Sequence, residues 1–223
     1  MSRLPLFFPL VLLVALPRAV TAQDVAARLD GRVPPEVRQA VVKIMADAVA
    51  RGLPVEPLVE KAIEGGAKGV PADRVVAAVR ALAGRLGEAM GALHEAGVPA
   101  PTGDVVEGGA DALNAGLSNG DVRTLVRVSR PPYDPSLTLR VAATLVALGV
   151  PPNQTMQLVR EMISAGRSPN DLLALPTEVQ AEVGRGATPA QAAEGLARAA
   201  TAGRPDVPPG IVKQGKQVNP HRP

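Results

Sequence analysis

The chain contains no cysteine and no tryptophan, and its 223 residues include one tyrosine, two phenylalanines and two histidines. Each shortage removes a class of chemistry. Without cysteine there is no disulfide framework, no thiol nucleophile, no thiolate metal site and no lipid-modified cysteine behind a leader. Both phenylalanines, Phe7 and Phe8, lie at the amino terminus, so Tyr133 is the one aromatic side chain of the remainder. Sugar platforms, base stacking and membrane-interface belts lean on flat aromatic rings, and one tyrosine does not supply them. His94 and His221 have no second functional residue at a motif spacing and read as surface histidines rather than general bases. There is no His-Glu-x-x-His, no Gly-x-Ser-x-Gly and no phosphate-binding glycine loop, so neither a cofactor nor a metal is expected.

What is present begins with the leader. Arg3 supplies a positive start, Leu4 to Leu16 is apolar apart from Pro5 and Pro9, and Val20-Thr21-Ala22 sets small residues before Gln23. This pattern predicts a signal peptide over residues 1–22, cut between Ala22 and Gln23, and an exported, periplasmic or secreted product. Retention of the leader as an anchor is the alternative, although the apolar run is short for a span of about 20 residues. The formal net charge is +3, and two of the basic residues, Arg3 and Arg18, belong to the leader. A mature chain so nearly neutral lacks the clustered positive charge of a nucleic-acid binder. No later stretch is long and apolar enough to suggest a membrane span.

Twenty-two glycines and 23 prolines punctuate the chain, and one phrase recurs: Gly52-Leu53-Pro54, Gly69-Val70-Pro71, Gly97-Val98-Pro99 and Gly149-Val150-Pro151. Glycine closes a helix through the left-handed conformation, and proline opens the next with φ already set. Each phrase therefore predicts a tight corner between helices. Between corners the apolar residues follow the helical period, as in Val37, Val41, Ile44, Met45 and Ala48, or Val75, Val79, Leu82, Leu86, Met90 and Leu93. Leu137, Val141, Leu145 and Leu148, then Met156, Val159 and Ile163, repeat it. No stretch alternates with the period of a strand. The predicted fold is all-α: short amphipathic helices joined by Gly-x-Pro corners, as an irregular bundle or a helical-repeat-like array.

Asp134, Ser168 and Thr188, each followed by proline, are predicted caps, and Thr177–Gln180 and Thr188–Gln191 fit the reciprocal capping box. Asn153 reads as a helix cap rather than a glycosylation site. The stretch Ala115–Asp121 echoes Ala165–Asp171, which suggests an internal duplication of residues 34–96 and 134–202 joined by 97–133; chance in a glycine- and proline-rich chain is the other explanation. Residues 203–223 have the composition of an unfolded, mildly basic tail.

Two features suggest partner contacts. Gly84, Gly87 and Gly91 fall on one side of a predicted long helix, a smooth strip on which another helix or a second copy of the chain would dock; a tolerated glycine excess is the simpler explanation. Arg130-Pro131-Pro132-Tyr133-Asp134-Pro135 reads either as a stiff loop displaying Arg130 and Tyr133, or as a linker whose tyrosine covers the end of the core. The expected function is an exported, noncatalytic scaffold or protein-interaction module of a bacterial-type cell envelope, binding another envelope protein or itself. A carrier of small apolar ligands, and an envelope hydrolase using a lone helix carboxylate such as Glu88 or Glu107, are the alternatives.

Overall fold

The computed structural model describes residues 22–202. The body of the predicted leader and the predicted tail, with His221, lie outside the described residues. Every regular element described is a helix: α1 (Ala22–Leu29), α2 (Pro35–Ala50), α3 (Glu56–Ala67), α4 (Ala72–Glu95), α5 (Gly103–Ala115), α6 (Asn119–Val128), α7 (Pro135–Ala147), α8 (Pro152–Ser164), α9 (Pro169–Gly184) and α10 (Pro189–Ala202). The all-α expectation holds. The chain divides into two compact units between Ala83 and Gly84, within α4.

The corners share one hydrogen-bonding pattern. Gly52, Gly69, Gly97, Gly116, Gly149, Gly166 and Gly186 all have positive φ. The residue after each donates its N–H back across the closing turn, as in Leu53 to Ala48 O at 2.9 Å, Leu117 to Ala112 O at 3.0 Å and Val150 to Leu145 O at 3.1 Å. This is the Schellman arrangement, which satisfies carbonyls that the end of a helix would leave open. Its apolar counterpart is present too, because Leu53, Leu117 and Val150 are all buried. Proline then acts through its neighbour. At Pro34-Pro35 and Pro151-Pro152 the first proline is held extended, at ψ 150° and 142°, by the ring that follows, and the second opens the helix. Gly97-Val98-Pro99 departs from the predicted tight corner, since an irregular stretch separates it from the start of α5 at Gly103.

In the first unit α1, α2 and α3 pack on one another around Leu29, Val37, Val41, Met45, Leu58 and Val59. Gly65 permits a close approach, because a Cβ there would come within 2.7 Å of the Val75 side chain. Arg28 bridges to Glu56 through two bonds of 2.6 and 2.5 Å, which tie α1 to the start of α3.

The second unit has a layered order. Helices α5, α7 and α9 lie side by side, as do α6, α8 and α10, and each helix also touches the next in sequence. Such near-neighbour stacking is the organisation of helical-repeat arrays. The stretch 97–133, read from sequence as the link between two halves, holds α5 and α6, and these bury Val106, Leu113, Val122 and Leu125 in the core of this unit. The closest packing is between α5 and α7. A Cβ on Gly108 would sit 3.0 Å from Ser136 O and 3.3 Å from Leu139 Cβ, and one on Gly109 would sit 3.0 Å from Ala89 Cβ.

Two sequence expectations are corrected. Thr177 does not start a helix, because α9 runs unbroken through Pro176. An interior proline costs a helix roughly 3 kcal/mol, but Leu172, Leu175 and Val179, all fully or almost fully buried around it, hold both turns in place. Asn153 does not cap α8 either; Pro151 occupies that position and no side chain caps the helix. The predicted caps at Asp134, Ser168 and Thr188 are present, and the last two form reciprocal boxes with Asp171 and Gln191. Ser118 and Asp121 form the same box, so the echoing stretches build the same corner twice.

Candidate docking surface

The helix α8 has one apolar face turned into the second unit, through Leu158, Val159 and Met162. Its outer shoulder borders a trough of about 480 Å³. Val128, at the end of α6, forms one wall, and Met156 and Ile163 supply the apolar part of the other. Asn153, Gln157 and Ser164 add amides and a hydroxyl, and Arg160 and Glu161 add charge. The Gln157 amide donates to Glu161 Oε1 at 2.9 Å, and the Ser164 hydroxyl donates to the Glu161 carbonyl at 3.2 Å. Arg160 is exposed and pairs with no described residue. One turn away, Gln154 Oε1 and Thr155 Oγ1 are buried with no hydrogen-bond partner among the described residues.

Arginines brace the surroundings of this trough. Arg127 Nη2 donates to Glu95 O at 2.8 Å and Arg123 Nη1 to Glu95 Oε2 at 2.6 Å, so α6 closes the last turn of α4 with two guanidinium groups. Arg167 Nη2 does the same for α10 through Ala199 O and Ala200 O, at 3.0 and 3.1 Å. Cations at carbonyl ends satisfy open acceptors and oppose the helix dipole.

Of the residues singled out from sequence, Gly84 and Gly91 are exposed with open space where a side chain would stand, and Gly87 is half-buried. Nothing in the packing requires glycine at 84 or 91. Arg130 is exposed, with its Nε donating to Arg127 O at 3.4 Å. Tyr133, by contrast, is turned inward. It is 8% exposed, and its hydroxyl donates to Arg167 O; burial, together with the nearby Asp171 carboxylate, pushes the phenol's pKa up. The loop therefore shows its arginine outward and uses its tyrosine to cover the core. Ala22 and Gln23 open α1.

His94 is exposed. Glu88 is exposed and pairs with Arg85 at 2.8 Å. Glu107 is half-buried, 3.6 Å from Arg140, which also lies 4.0 Å from Asp104. Desolvation raises the nearby Asp111 carboxyl above its ordinary range, and the Arg140 charge opposes the shift. Among the described residues no group of histidine, aspartate and glutamate side chains is placed to hold a metal ion, and no helix is long and apolar enough to cross a membrane.

Sequence reasoning missed the trough and the Gly108-Gly109 contact. The adjacent glycines were a visible signal for close approach, whereas Val128 and Met156 are brought together only by the packing of α6 on α8. Comparison with protein-family profiles, curated proteins and solved structures returns no match.

Proposed function

We propose that the mature chain is an exported, noncatalytic helical module that binds another protein of a bacterial-type cell envelope. The observation that carries this reading is the trough along α8, which is open to solvent and mixes apolar, amide and charged groups. A carrier of small apolar ligands works by enclosing most of its cargo, in a chamber lined mainly by apolar side chains. An open trough on a stacked helical array suits a protein surface better. The exposed Gly84 and Gly91 and the outward Arg130 are further surface that a partner would contact. Export rests on the leader-like residues 1–22.

The test is site-specific photo-cross-linking in cells that export the chain, with the probe placed in turn at Gln157, Gly91 and Arg130. The expected result is a discrete protein adduct from at least one position, together with an exported product whose first residue is Gln23. Intact leader-bearing protein confined to the cytosol would overturn the export reading. Purified chain that turns over envelope polymer, with no adduct from any position, would overturn the module reading.

A further inference from the structure

We draw no further inference here: the strongest candidate, the groove beside the end of α10 that is lined by Met162, Leu175 and Leu196 and edged by Arg167, Asp171 and Glu178, sets an apolar floor between charges of both signs, and nothing in the structure shows what covers it.

Discussion

In the first unit Pro34 and Val55 hold the cap positions before α2 and α3, and neither residue caps its helix with a side chain. In the second, the cap positions before α6, α7, α9 and α10 are held by Ser118, Asp134, Ser168 and Thr188, whose side-chain oxygens each accept a first-turn amide. The two devices act on different states of the chain. Proline restricts the unfolded ensemble and leaves the first amides to water. A capping oxygen makes a bond that exists only when the helix is folded. The second unit therefore places more of its stability in specific side chains, and hydrogen exchange should show it: the amides of Glu36 and Val37 should exchange faster than those of Ser136 and Leu137.

Substitutions can break or sharpen this contrast. The largest effect is expected at Gly108→Val, which drives branched methyls into the Ser136 carbonyl and Leu139 across the α5–α7 contact. A loss of about 3 kcal/mol, confined by segment-resolved hydrogen exchange to residues after Ala83, is the expected outcome. Equal loss in both units would show that the division between them has no energetic meaning.

Next come the caps. Asp134→Ala should cost about 1 kcal/mol at pH 7 by urea unfolding. The Asp134 carboxyl is held below its usual range by the Ser136 hydroxyl, with help from the amides of Leu137 and Ser136 and the charge of Arg140. Its contribution is therefore present above the unfolded value of about 3.9 and disappears as pH falls through the lower folded value. The gap between wild type and variant should close on acidification over that window.

Thr155→Val is expected to act in the opposite direction. The Thr155 hydroxyl is fully buried with no partner among the described residues, and an apolar side chain of the same shape should raise stability by about 1 kcal/mol. Gly84→Ala should also stabilise, by roughly 0.5–1 kcal/mol, because the position is helical and open. A loss of stability there would reveal a contact that the open geometry does not contain. The smallest effect belongs to the first unit. Glu64 is exposed, and hydrogen bonds from Lys68 and then Lys61 lower its carboxyl to about 2. Solvent screens such surface pairs, so Glu64→Gln should leave Tm nearly unchanged at pH 7, and whatever difference remains should fade as pH falls from about 4.5 towards 2.

The all-α class and several helix starts and stops were legible because they depend on local chemistry. A glycine that must adopt positive φ, and a serine or aspartate placed to accept a first-turn amide, announce themselves within a few residues, as at Gly149 and Ser168. What sequence did not reveal depends on neighbours. Leu137, Val141, Leu145 and Leu148 suggest a helix with one apolar face, yet α7 also buries Thr138, Leu139, Ala142 and Ala143, because α5, α6, α8 and α9 surround it. Pro176 reads as a helix break by local rules, and tertiary burial overrides it. The trough was invisible for the same reason, since it needs the end of α6 beside a shoulder of α8. Tyr133 was readable both as a displayed side chain and as a cover for the end of the core, and only the packing shows that it faces inward.

The layered order of α5 to α10 also bears on how the second unit gives way. Since each helix leans chiefly on those one and two places along the chain, little of its support comes from distant sequence, and local topologies of this kind form and dissolve rapidly. Drawn out from its carboxyl end in an optical trap, this unit should peel helix by helix in small reversible steps instead of rupturing in one event.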